Sequence, residues 1–122
     1  MRRMIESGAL GGDRFLQLGL RGYWPGPETL DWMAAQGLRS YEMTDLVARG
    51  LEECLTEAFG IVTDECDGAF LSVDIDVCDP GQAPGTGTPE PGAHRPAAAG
   101  LRAAHRVRAA GGGDDVVELS PP

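Results

Sequence analysis

The sequence predicts an α/β domain whose mainly parallel strands are covered by helices, and two observations lead there. Short apolar runs bounded by Gly and polar residues, RFLQLGL (14–20), AFLSVDI (69–75) and DVVEL (115–119), read as buried strands. Segments with apolar residues at helical spacing alternate with them, and strands alternating with helices pair in parallel through right-handed crossovers.

Taken in order, RFLQLGL is followed by PGPETLDWMAAQGL, where Pro27 stands near a helix start, Leu30, Met33 and Ala34 share a face, and Gly37 is a stop. RSYEM (39–43) is a short strand candidate. Thr44 then reads as the cap of a helix that places Val47, Leu51, Cys54, Leu55 and Ala58 on one side and ends at Gly60. After the polar loop TDECDG, AFLSVDI is continuous enough to be a strand covered on both faces. A Pro/Gly loop, an Ala/Arg-rich stretch and DVVEL complete the order.

Composition narrows the function classes. The 122 residues make one small domain or a piece of a larger one. The formal charge is -9, and no basic stripe lies outside one late segment, which excludes nucleic acid as the expected partner and suits a small cationic one. Cys54, Cys66 and Cys78 form no C-x-x-C pair, and their odd count fits free thiols in a reducing cytoplasm. MRRMIESGALGG lacks the apolar run of a signal peptide and no stretch is long enough to span a membrane, so a cytosolic protein is expected.

The stretch that demands chemistry is FLSVDIDVCDPGQAPGTGTPEPG (70–92). Alternation along a strand would put Asp74 and Asp76 on one side at its carboxyl end, where open α/β sheets keep their sites. Two carboxylates so close repel unless a proton or cation sits between them, and a divalent metal of the hard, oxygen-preferring kind (Mg, Ca or Mn) is the simplest answer. Pro80, Pro84, Pro89 and Pro91 restrict the adjoining loop, while Gly81, Gly85, Gly87 and Gly92 permit close approach. Taken alone, a D-x-D at a strand end is more often a solvated turn or cap than a metal site. A calcium loop fails because Cys78 and Asp79 stand where an acid or amide and a Gly belong. A D-x-D phosphotransferase, with Asp74 as nucleophile and Asp76 as acid, meets Cys78 where Thr or Val is wanted.

The whole segment SVDIDVCDPGQAPGTGTPEPG closely resembles a signature of the ureohydrolases, the family of arginase, agmatinase and guanidinobutyrase. RFLQLGLRGYWPGPE upstream and DVVELSPP downstream resemble the agmatinase branch in the same order. The resemblance implies a three-layer αβα arginase-like fold, of which this chain is the C-terminal part. It also implies a hydrolase in which a pair of manganese ions activates water to cleave a linear guanidino compound, agmatine or 4-guanidinobutyrate, to urea and an amine. On that basis Asp74 bridges the two metals, Asp76 binds one of them, Asp79 braces the loop, and Glu118 pairs with the substrate guanidinium. A homo-oligomer is implied for the complete family member. Without the resemblance, Glu118 reads as an ordinary strand-end acid.

Two departures from the family pattern stand out. Its other metal ligands come from a GGDH run and a D-A-H-x-D run, and here GGDR (11–14) carries Arg14 in that place, while His94 and His105 lie elsewhere. The chain alone is therefore expected to be inactive, and a non-catalytic remnant with a structural or binding role is the rival reading. Residues 93–113 hold four Arg, both His and none of the 19 acids. All ten basic residues of the chain are Arg, as GC-rich DNA favours. The segment has the composition of such DNA read in a wrong frame, which points to paired frameshifts or an equivalent sequence error. A divergent helix over 96–110 is compatible with either origin.

Overall fold

The computed structural model describes residues 1–23, 25–90, 103, 107–108 and 111–117. The elements are α1 (Arg2–Glu6), a 3-10 turn (Gly12–Arg14), β1 (Leu16–Leu20), α2 (Pro27–Ala35), β2 (Arg39–Glu42), α3 (Met43–Arg49), α4 (Leu51–Val62), β3 (Phe70–Asp74), a second 3-10 turn (Ile75–Val77) and β4 (Gly113–Val117). Both strand pairs, β1 with β2 and β3 with β4, are parallel, as alternation of strands and helices requires. No helix among the described residues is long and apolar enough to cross a membrane.

The core lies where α3 and α4 cover β1 and β2. Tyr41, Met43, Leu46, Cys54 and Ala58 are buried together, and Leu16, Leu18, Leu51 and Val77 pack on them. Val77 is the joint between the two strand pairs, because it belongs to the turn that ends β3. It reaches the core through Gly19, the bulged residue of β1, which falls in the register shift between Leu18 and Leu20. Gly19 has φ +87, and a Cβ there would lie 2.6 Å from Val77 Cγ2. Conformation and space both demand glycine.

The helices differ in detail from the expectation. Pro27 does open α2, and Gly37 (φ +73) closes it in a Schellman arrangement, with Leu38 N–H donating to Met33 O at 3.0 Å and Gly37 N–H to Ala34 O at 3.0 Å. The partly covered side of α2 is Thr29, Trp32 and Met33, while Leu30 is 50% exposed. Arg2 of α1, a helix that the sequence pattern does not announce, lies over the Trp32 ring, its guanidinium carbon 4.7 Å from the centroid. Thr44 is not a cap: Glu42 is the N-cap of α3 and forms a reciprocal capping box with Asp45. Nor is there one helix to Gly60. Gly50 (φ +87, ψ 141) breaks the run into α3 and α4, and α4 continues through Gly60 to Val62. The break rotates the phase, so Leu46 is buried and Val47 is 68% exposed.

Arg14 explains the GGDR turn. Its Nη1 donates to Ile61 O at 2.9 Å and to Asp64 O at 2.6 Å, satisfying carbonyls at the end of α4 that the helix cannot bond internally. On β3 the expectation of two covered faces is corrected: Phe70 is 65% exposed, and Ser72 shares its side. Of the Ala/Arg-rich segment, Ala103, Val107 and Arg108 are helical, with Ala103 and Val107 buried, and Arg108 makes a two-point ion pair with Asp114. The rest of the expected helix over 96–110 lies outside the described residues.

Gly19→Ala should lower unfolding free energy by about 2–5 kcal/mol, the sum of a left-handed backbone penalty and overpacking. Urea denaturation measures this, and a loss within error of zero would mean that β1 and the 75–77 turn do not meet as described. A second expectation concerns pH. Arg49, then Tyr41, hold the Glu57 carboxyl below its ordinary 4.5, so that contribution to stability is present above pH 4.5 and fades as pH falls through the folded value. Burial, then Glu57, push Tyr41 above its ordinary 10.0, and this contribution fades as pH rises beyond that. In paired urea titrations the stability gap between the native chain and Glu57→Gln should therefore shrink below pH 4.5. A gap that stays constant to lower pH would contradict the linkage.

Candidate functional site

The site is built from the end of β3, the turn after it and the Pro/Gly loop. The strand stops at Asp74, so Asp76 is not its continuation and the two acids are not placed by strand alternation. Instead Asp74 is the N-cap of the 3-10 turn Ile75–Val77, its Oδ1 accepting the Asp76 N–H at 3.1 Å. A short acid at a turn entrance competes for main-chain donors in this way. The contact shown between the two residues is thus from the main chain of one to the side chain of the other. Asp76 Oδ2 accepts the Thr88 hydroxyl at 3.2 Å, so the far end of the loop folds back onto the acid pair.

Between those points Asp79 organises the chain. Its Oδ1 accepts the Gly81 N–H at 2.8 Å, and its carbonyl accepts from Gln82 at 2.8 Å and Ala83 at 2.9 Å. Thr86 N–H donates to Pro84 O at 2.9 Å. The 79–86 stretch is thus held by bonds to its own main chain, without an apolar core.

Sequence reasoning passed over Arg21, which comes directly after β1 and looked like a strand boundary. Its guanidinium Nη2 donates to the carbonyls of Asp76 and, at 3.1 Å, Glu90, while Nη1 reaches Gly19 O at 3.4 Å. Cys78, which is 7% exposed, sits in the same field. Burial pushes its thiol pKa up; Arg21 pulls it down, and Asp76 and Asp74 push it further up. One cation and two carboxylates thus act on a single buried sulfur.

On the neighbouring strand, Val117 of β4 is the register partner of Asp74, so β3 and β4 run to the same carboxyl edge. Glu118 comes after Val117 in sequence and lies outside the described residues, as do His94 and His105. Asp74 and Asp76 are hard oxygen donors of the type manganese accepts. Among the described residues, however, no group of three His, Cys, Asp or Glu side chains is placed to hold a metal ion. That donor set is too small for a metal pair. An open depression beside Arg39, Tyr41, Asp45, Arg49 and Glu57 lies away from these acids. Its charges are engaged with one another, Arg49 pairing with Glu53 and Glu57 and Arg39 with Glu57, which makes it an ionic network on the surface of the core.

Comparison with known proteins matches this arrangement to one family. The profile described as "Arginase family" covers residues 1–122. Guanidinopropionase of Pseudomonas aeruginosa is 40% identical over 125 residues, which take in 99% of this chain and 37% of that protein. Guanidinobutyrase of the same organism is 36% identical, with 99% of this chain and 37% of that protein covered. The chain therefore spans about 37% of the length of the curated relatives it matches. Among solved structures, formimidoylglutamase from Bacillus subtilis superposes with a TM-score of 0.85 at 26% identity, covering 98% of this chain and 38% of that one. Its parallel α/β architecture is that of the arginase fold, and the chain belongs to the arginase family.

Proposed function

We propose that this chain is the C-terminal part of a manganese-dependent ureohydrolase that cleaves a linear guanidino compound to urea and an amine. The observation that carries the reading is the Asp74–Asp76 turn at the carboxyl edge of β3, in a chain 40% identical to a guanidinopropionase along 99% of its length. The names of the relatives, guanidinopropionase and guanidinobutyrase, favour a guanidino acid as substrate, with agmatine the alternative. An acidic chain of formal charge -9 suits a guanidinium, which pairs well with planar carboxylates. In this reading Asp74 and Asp76 are metal ligands, Asp79 braces the loop, and Glu118 pairs with the substrate. The complete protein is a cytoplasmic homo-oligomer, and residues 93–113 are a divergent or wrongly framed insert within its domain.

This chain's own residues then do a limited part of the work. The turn presents two carboxylates, Thr88 and Arg21 fix where they stand, and the Pro/Gly loop walls one side. Manganese, when bound in the complete site, would supply activated water, and the remaining ligands come from elsewhere in the protein. A second reading, a non-catalytic remnant, is favoured by one observation: no three potential ligands converge among the described residues.

The purified 122-residue chain should bind manganese with a dissociation constant of about 0.1 mM or weaker, as expected for a site of few ligands. It should release no urea from 4-guanidinobutyrate, 3-guanidinopropionate or agmatine. Calorimetric titration and a urea assay measure the two quantities. Tight binding of two ions with steady turnover would show that the chain holds ligands beyond Asp74 and Asp76. A longer form that hydrolysed a phosphate ester in place of a guanidino compound would overturn the ureohydrolase reading itself.

A further inference from the structure

We infer that Arg21 is a positioning residue for the aspartate turn, clasping both ends of the 77–89 loop to the end of β1. The guanidinium Nη2 donates to Asp76 O, where the loop leaves the turn, and to Glu90 O, where the loop returns. These acceptors lie 55 and 69 residues along the chain from Arg21, so a single side chain ties three distant segments together. The adjoining Gly22, at φ +85, leaves room for the Glu90 carboxylate: a Cβ there would lie 3.1 Å from Oε1. The loop end therefore rests on the Arg21–Gly22 corner as well as being bonded to it.

The choice of side chain has a physical reason. Among the described residues, the hydrogen bonds of Arg21 go to main-chain carbonyls, so its fork fixes backbone. Lysine, a point donor on a flexible stem, cannot hold two divergent carbonyls in the same plane. The clasp also explains how a loop rich in Pro and Gly, with an exposed Thr88, keeps that hydroxyl against Asp76. Among the described residues, the other bonds seen along the loop are those of its own turns and the Thr88–Asp76 hydrogen bond, while Val77 and Cys78 are packed at its start. The functional weight of the clasp rests on the reading of Asp74 and Asp76 as site carboxylates, while its structural content does not.

Amide hydrogen exchange on the full 122-residue chain tests it without metal or substrate, comparing the native protein with Arg21→Lys and Arg21→Met. The reporters are the bonded N–H groups of Cys78, Gln82 and Ala83, with those of Cys54 and Thr63 on α4 and its C-cap as the internal reference. Arg21→Met should speed exchange of the loop reporters about tenfold or more, the loss expected when charge-assisted bonds to carbonyls are removed. The α4 reporters should stay within about twofold, the spread expected of a region whose local stability is untouched. Arg21→Lys should recover part of the protection. Unchanged loop exchange in Arg21→Met would overturn the clasp, and equal acceleration of loop and α4 would show a general structural role in its place. Lysine no better than methionine would show that the clasp needs the guanidinium fork and that charge alone does not supply it. A protected native loop in a protein that never yields urea, even in a longer form, would count against the ureohydrolase reading and leave the clasp standing.

Discussion

The architecture turns on a contact that requires the absence of a side chain: the turn after β3 can reach the core only because residue 19 of β1 is glycine. At φ +87, with Val77 Cγ2 where a Cβ would need to be, Gly19 lets the Ile75–Val77 turn press onto the bulge. Val77 then joins Leu16 and Leu18 against Met43 and Leu46. Four described residues of the candidate site adjoin that seating. Asp74 and Asp76 flank Ile75 in the same turn, Cys78 is buried directly after it, and Arg21 stands just past the bulge. A bulge beside a functional site bends the strand and re-aims the residues beyond it. Here it turns the main chain so that the arginine after β1 points at the turn after β3.

Much of this was legible in the sequence because it is written in period and punctuation. Apolar runs between Gly-rich segments gave the strands, Pro27 and Gly37 gave the limits of α2, and alternation of strands with helices gave the parallel pairing. What escaped was conformational. Gly50 interrupts a run of apolar residues that keeps helical spacing on both sides, and only its backbone angle separates α3 from α4. Gly60 looked like a stop, yet α4 carries it, since a helix interior tolerates glycine at a cost of about 1 kcal/mol when packing compensates. Cys54, Leu55 and Ala58 supply that packing on the preceding turns.

The site was half legible for a related reason. The Asp-x-Asp pattern is spelled out in the sequence, whereas most of the bonds around it involve main chain. Asp74 caps a turn that any sequence reading takes for the last step of a strand, because capping and strand ending share the same extended backbone at Asp74 (φ -80, ψ 130). Arg21 bonds carbonyls, which every residue has, so no partner type in the sequence marks its targets. Thr88 is one of two threonines in a loop of small residues, and only the fold selects it for Asp76. Glu118 lies outside the described residues, and the register fixes only Val117 opposite Asp74.

These supports bear on what the acid pair is for. Two carboxylates in neighbouring turn positions repel, and a chain can offset that with hydrogen-bond donors, with a nearby cation or with a bound metal. The first two are present here: the Asp76 N–H on Asp74, the Thr88 hydroxyl on Asp76, and Arg21 in the same field. Both residues of the turn are thus engaged by the chain's own hydrogen bonds. The Asp76 N–H and the Thr88 hydroxyl each give one carboxylate oxygen a donor, and the Arg21 fork holds the main chain at Asp76 and at Glu90. Residues from the end of β1, the turn after β3 and the far end of the Pro/Gly loop therefore meet at one place, and each bond there fixes the partners of the next.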